Sequence, residues 1–227
     1  TNMTDLDAID DDVARWLVHG YCACVSFMDA QVGKVLDALA RSGQRDDTVI
    51  VFWGDHGWKL GEHGSWCKHT NFEIDARAPM MLSTPDTRGR GLRTTALSEF
   101  VDIYPSLCEA CGLPRPDHLE GASALPLIDN PGRPWKQATF NQYPRGEGVM
   151  GTACRTDRHR YVEWRAADGT LAARELYDHD SDPQENVNLA DAPECATVAA
   201  THADVIRRGW RGALPPDDPR RASLARA

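Results

Sequence analysis

No apolar run in this chain approaches the roughly 18–20 residues that carry a helix across a bilayer, so a membrane-spanning helix is not expected. No secretory-type segment opens it either, and there is no initiating Met. The opening "TNMTDLDAIDDD" packs five Asp into twelve residues and reads as the interior of a longer polypeptide, so the compartment stays open. A basic excess is also missing. The formal net charge is −9, which argues against a nucleic-acid binder. Repeats and low-complexity tracts are absent. The seven cysteines, Cys22, Cys24, Cys67, Cys108, Cys111, Cys154 and Cys195, form no paired framework. Cys108 and Cys111 are spaced as C-x-x-C but sit in an apolar helical pattern, without the strand and helix N-terminus that a redox motif needs. They are expected to be packed free thiols.

What is present is an ordinary globular composition, 41% hydrophobic and 26% charged over 227 residues, enough for a large domain or a domain plus an appendage. Trp16, Leu17, Tyr21, Val25, Met28, Val32, Val35, Leu36 and Leu39 recur at helical spacing and predict one amphipathic helix over 11–42, stopped by Ser42-Gly43. Asp10, Asp11 and Asp12 fit the negative charge favoured at its start. "DTVIVFW" (47–53) and "APMMLSTP" (78–85) read as strands, the first buried on both faces. A helix, a short turn and such a strand form half of a βαβ unit, so the fold class is α/β with a mainly parallel sheet and flanking helices. "SEFVDIYPSLCEACG" predicts a helix capped by Ser98, with Pro105 in its first turn and Gly112 at its end. Residues 113–136 read as loop. Antiparallel strands follow, with "ADGT" as a turn, then a helix near 194–213. The predicted division is an α/β part over 1–130 and a smaller antiparallel α+β subdomain over 131–227. The last 21 residues carry six Arg against two Asp and read as a solvated, partly disordered tail.

The chemistry concentrates in "FWGDHGWKLGEHGSWCK" (52–68), directly after the first strand. Ligands of open α/β sheets bind beyond the carboxyl ends of strands. Asp55 offers a hard oxygen, His56 a nitrogen able to bind metal, and Lys68 a positive charge for an anionic group. Four glycines let the backbone come close to a ligand. Singly, each side chain suits an ordinary loop. Together they point to a metal facing a phosphate- or sulfate-like oxyanion.

This stretch resembles the C-terminal metal and sulfate motif of the type I, formylglycine-dependent sulfatases, in the branch of iduronate-2-sulfatase and choline-sulfatase-like enzymes. "YCACVSFMDAQVGKVLDAL", "HTNFEIDARAPMML", "FVDIYPSLCEACGLPRP", "NQYPR" and "ELYDHDSDPQENVNLA" are similar to further landmarks of that family. The resemblance implies the C-terminal part of an alkaline-phosphatase-like sulfatase fold. It implies that Asp55 and His56 ligate one divalent metal, calcium in this family, and that Lys68 contacts the sulfate and stabilises its developing charge. Imidazole is an unusual calcium ligand, so residue types alone favour zinc or manganese. Many sulfatases carry Asn at the position of His56, and the iduronate-type branch carries His. His63 is implied to shape the loop. Trp58 and His69 are candidates for the substrate-facing wall, and the resemblance implies Tyr143 and Arg145 at the border of a sugar pocket. The implied substrate is a sulfated carbohydrate or another sulfate ester, and the implied location is periplasmic, secreted or lysosome-like.

One part of the family pattern is missing. The formylglycine nucleophile derives from a C-x-P-x-R cysteine, and no cysteine here fits. "CGLPRP" at Cys111 reads C-x-x-P-R and aligns with a routine turn. The paired N-terminal metal aspartates are absent as well. The nucleophile and the remaining ligands are therefore expected upstream, in the N-terminal half of the same enzyme, and these 227 residues alone are expected to be inert and poorly soluble. Two alternatives stay open. One is a phosphatase or phosphomutase of the same superfamily, where two metals require further His ligands. The other is an inactive, truncated non-enzymatic product.

Overall fold

The computed structural model of the protein describes residues 9–85 and 91–221. Helix α1 spans Asp11–Arg41, and the Asp10 carboxylate caps it by accepting from the amides of Asp12 (3.0 Å) and Val13 (2.8 Å). Gly43, at φ 73°, turns the chain out of the helix. Strand β1 (Ile50–Trp53) follows a 3₁₀ turn at Arg45–Asp47, so it is shorter than the apolar run suggested. Two short strands come next, β2 (Lys59–Leu60) and β3 (Trp66–Cys67), paired as a hairpin, then the single-turn helix α2 (Glu73–Ala76) and strand β4 (Met80–Ser83).

β1 pairs with β4 in antiparallel register, Ile50 opposite Ser83 and Trp53 opposite Met80. The mixture of helices and strands agrees with an α/β fold. Every strand pairing among the described residues is antiparallel, however, so these residues do not supply parallel neighbours for β1. Nor is β1 buried on both faces, since none of its residues is fully buried and Trp53 is half exposed. The same holds for α1. Its stripe has the expected period, yet no residue of the helix is buried, and Trp16 stands 78% exposed.

The remainder carries the core. A 3₁₀ turn at Phe100–Asp102 leads into α3 (Ile103–Ala110), with Pro105 in its first turn and Gly112 at φ 64° after it. The cap is Glu99, reciprocally bonded with Asp102, and not Ser98. A short helix α4 (Leu125–Asp129) interrupts the expected loop. Strands β5 (Thr139–Pro144), β6 (Met150–Arg155), β7 (His159–Arg165) and β8 (Leu171–Asp178) form an antiparallel meander in that order, and α5 (Ala196–Ala213) packs on β5, β6 and β7. Cys154, Tyr161 and Leu176 meet Ala190 and Ala199 in one cluster, while Leu127, Trp135 and Leu214 form another. Gly121 passes so close to Val101 that an added Cβ would lie 1.9 Å from its carbonyl oxygen, which only glycine permits.

The described part of the basic tail is ordered rather than merely solvated. Arg220 donates to the carbonyls of Leu119 (2.7 Å) and Gly121 (2.8 Å), and its other face meets Asp218. All seven cysteines are free, but Cys22, Cys24 and Cys111 are exposed rather than packed.

The chain divides into two compact units. The first holds the described residues up to His69 together with the stretch from Arg77 that contains β4. The second holds Thr70–Ala76 and everything described from Gly91 onward. Every buried hydrophobic residue among those described lies in the second unit.

Candidate active site

Gly54 leaves β1 by donating its amide to the Pro79 carbonyl at 3.0 Å, which ends the ladder and starts the Asp55–His56 loop at the strand's carboxyl end. The His56 ring is fixed on both sides. Its Nδ1 lies 2.7 Å from the Gly57 carbonyl oxygen, an acceptor only, so Nδ1 carries the proton. In the neutral ring this leaves a lone pair on Nε2. That nitrogen sits 3.2 Å from Asp55 Oδ2 and 2.5 Å from Lys68 Nζ. Two acceptors facing each other at this distance require a positive charge nearby, and the Lys68 ammonium supplies one. Asp55 is well exposed and His56 half-buried, so the group is open to a ligand.

The hairpin β2–β3 returns the chain so that Lys68 meets His56 twelve residues away. The Glu62 carboxylate accepts the Leu60 amide at 2.5 Å, and Gly61, at φ 117°, forms the turn. Lys68 is flanked by Cys67 at φ 71° and His69 at φ 87°, and His63 stands at φ 56° in the turn. Non-glycine residues in the left-handed region cost about 1–2 kcal/mol each. Such strain persists where the surroundings over-determine the backbone, commonly at functional sites.

The other expected residues fall as follows. Trp58 stacks between Tyr21 of α1 (6.3 Å) and His56 (6.1 Å), so it braces the imidazole. His63 belongs to the turn through its backbone, and His69 is exposed. Tyr143 and Arg145 lie in the second unit, where the Arg145 guanidinium rests over Tyr143 (5.1 Å) and Trp164 (5.3 Å). A cleft of about 260 Å³ beside β7, β8 and α5 is lined by none of the expected residues.

Two features escaped the sequence reading. Lys59 is fully buried although it looks like Lys68 in sequence. Glu73, His179 and Glu185 bring one ligand atom each to within 4.8 Å of one another, a spacing that would suit a metal. This group is filled instead by the Arg160 guanidinium, whose Nε lies 2.8 Å from Glu185 and whose Nη2 meets Glu73. Burial opposes the ionised form of Glu73, but Arg160 and Arg155 together hold its carboxyl below the usual range. Two carboxylates against two guanidiniums leave no net charge for a divalent cation to neutralise. No sequence signal marks this group, because Glu73 lies more than a hundred residues along the chain from His179 and Glu185.

The family model described as N-sulphoglucosamine sulphohydrolase, C-terminal, matches residues 61–208, and the sulfatase model matches residues 7–113. The chain belongs to the sulfatase family. It is 30% identical over 248 residues to iduronate 2-sulfatase of Mus musculus, covering 80% of this chain and 45% of that protein. It superposes at TM-score 0.75, with 25% identity, on a protein solved in complex with its substrate D-glucosamine-2-N,6-O-disulfate, covering 86% of this chain and 40% of the other. A phosphonate monoester hydrolase of Agrobacterium radiobacter superposes at TM-score 0.71 with 26% identity, covering 81% and 39%. The chain spans less than half the length of the curated relatives it matches. These matches agree with the α/β sulfatase fold class expected from the motifs.

Proposed function

We propose that the chain is the C-terminal portion of a sulfuric ester hydrolase acting on a sulfated carbohydrate. The observation that carries this reading is the convergence of Asp55 Oδ2, His56 Nε2 and Lys68 Nζ on one point beyond β1. Asp55 and His56 fit part of the shell of a divalent cation. Calcium takes about 6–8 donors, so these two supply a minority of them. The metal, calcium by family, would supply Lewis-acid polarisation of the sulfate oxygens. With His56 Nε2 and Asp55 engaged in holding the metal, the Lys68 ammonium would be left to hold a sulfate oxygen and stabilise charge that develops there. Trp58 keeps the imidazole oriented. His63 shapes the turn, while His69, Tyr143 and Arg145 are proposed substrate contacts.

In this reading residues 1–130 belong to the catalytic α/β domain and 131–227 form the smaller subdomain. The formylglycine nucleophile and the other metal ligands come from the rest of the enzyme. The uncovered face of α1, with Phe27 and Val35 more than two-thirds exposed, supports a further layer of protein over this side. The 227 residues alone then turn over no sulfate ester.

Lys68→Ala in the full-length enzyme should lower kcat for a sulfate ester about 10²–10³-fold, the usual loss for a donor aimed at developing charge. Asp55→Ala and His56→Ala should each weaken binding of the divalent metal in calorimetry. The likeness to a phosphonate monoester hydrolase favours a second reading, a phosphonate or phosphate ester substrate. A full-length enzyme that prefers those esters over sulfate esters overturns the first reading in favour of the second.

A further inference from the structure

We infer that Tyr21 of α1 is a positioning residue for the His56 imidazole and acts on it through Trp58. The inference rests on the reading of His56 as a metal ligand. All three residues belong to the first compact unit. An imidazole ligates well only while its ring plane is held, because χ2 of histidine is a broad torsion with no sharp minimum. The Nδ1–H bond holds the ring in part. Its acceptor is the carbonyl of Gly57, the very next residue, so that bond ties the ring to its own loop and not to the scaffold. Asp55 adds no anchor, since its side chain is 83% exposed.

The stack of rings is what reaches the scaffold. The Trp58 ring lies 6.1 Å from the imidazole with the planes 24° apart, and the Tyr21 ring lies 6.3 Å from Trp58 with the planes 26° apart. Both spacings fall in the roughly 4.5–7 Å range of aromatic pairs. Trp58 directly precedes β2, the strand that α1 touches. Tyr21 sits well inside a helix of 31 residues whose start is capped by Asp10, so fraying at the ends does not reach it. Its ring is the end plate that sets the plane of the indole, and the indole sets the plane of the imidazole. Without Tyr21 the indole and the imidazole can tilt together, and a ligand that must be reoriented binds its metal less tightly. Core packing does not account for the contact. Tyr21 is 38% exposed, and α1 contains no buried residue.

The test is metal binding by the full-length enzyme, read by calorimetry as Ca²⁺ and, separately, Mn²⁺ are titrated into metal-free protein. Tyr21→Ala should weaken the binding of whichever ion the wild type takes by about three- to tenfold, the worth of one aromatic contact. Where that variant does not accumulate, Tyr21→Leu takes its place, since it keeps the bulk without the flat face. Tyr21→Phe keeps the ring and should bind within about twofold of wild type. In the His56→Ala background, adding Tyr21→Ala should cost no further affinity, because the ring being held is gone. Unchanged affinity in Tyr21→Ala, or a loss that repeats in the His56→Ala background, overturns the inference and leaves the site reading intact. So does a Tyr21→Phe variant as weak as Tyr21→Ala, because the hydroxyl and not the ring would then be at work. A wild type that binds neither ion, or unchanged affinity in His56→Ala alone, overturns both.

Discussion

Lys136→Met should be among the most destabilising substitutions in the second unit. The Lys136 side chain is 3% exposed, and its ammonium donates to Glu99 Oε2 (2.6 Å) and Asp102 Oδ1 (2.7 Å). Methionine keeps the shape and removes the charge, so two carboxylates, one of them fully buried, lose their cation. Breaking a buried pair from one side costs about 3–5 kcal/mol. The lower end applies here, because both carboxylates keep backbone donors. Asp102 still accepts the amides of Ala122 (2.7 Å) and Glu99 (2.8 Å), and Glu99 still accepts that of Phe140 (2.8 Å). About 3 kcal/mol corresponds to roughly 6–12 °C in Tm for a domain of this size. Thermal unfolding of the full-length enzyme measures it, and hydrogen exchange at Ala122 and Phe140 locates it, since those amides should lose protection first. The triple variant Lys136→Met, Glu99→Gln, Asp102→Asn should recover much of the loss, as no charge is then stranded. A Tm shift below about 2 °C for Lys136→Met refutes the reasoning, because it would mean that the carboxylates never depended on the ammonium.

Gly151→Ala should cost about 1–3 kcal/mol by overpacking. Its Cβ would lie 2.4 Å from Asn71 Nδ2 and 2.5 Å from Trp164 Cζ3, and wild-type stability in denaturant would contradict this. Acidification should destabilise the second unit through His202 and His159, whose rings meet edge to face at 5.2 Å. Burial lowers the pKa of His202 despite the Nδ1–H bond to the Val198 carbonyl, and burial, then the neighbouring His202, lower that of His159. A lowered folded pKa means that the unfolded chain takes up protons first, so stability falls as pH drops from about 6.5 through the folded values. His202→Gln should flatten this slope between about pH 7.5 and 5.5, and an unchanged slope in denaturant titrations would remove the assignment.

Local structure was legible wherever the pattern is local. The 3.6-residue stripe of α1, the Asp10 cap, the Gly43 and Gly112 stops and the antiparallel meander can all be read from adjacent residues. The grouping of Asp55, His56 and Lys68 was legible for the same reason, because one short hairpin, β2–β3, links Asp55 and His56 to Lys68. Burial was not legible. The apolar run of β1 and the stripe of α1 look like core, yet neither contains a buried residue, since burial depends on what packs against a surface and not on the surface itself.

The sequence by itself determined the main helices and strands, the loop that carries a carboxylate, an imidazole and an ammonium, and the family. Periodicity, turn chemistry and short motifs are properties of neighbouring residues. Only the tertiary structure decided that His56 presents Nε2 to Asp55 and Lys68, that Lys59 is fully buried, and that Arg160 lies between the Glu73 and Glu185 carboxylates. Those outcomes depend on ring orientation, and on side chains brought together from distant parts of the chain, which residue spacing does not encode.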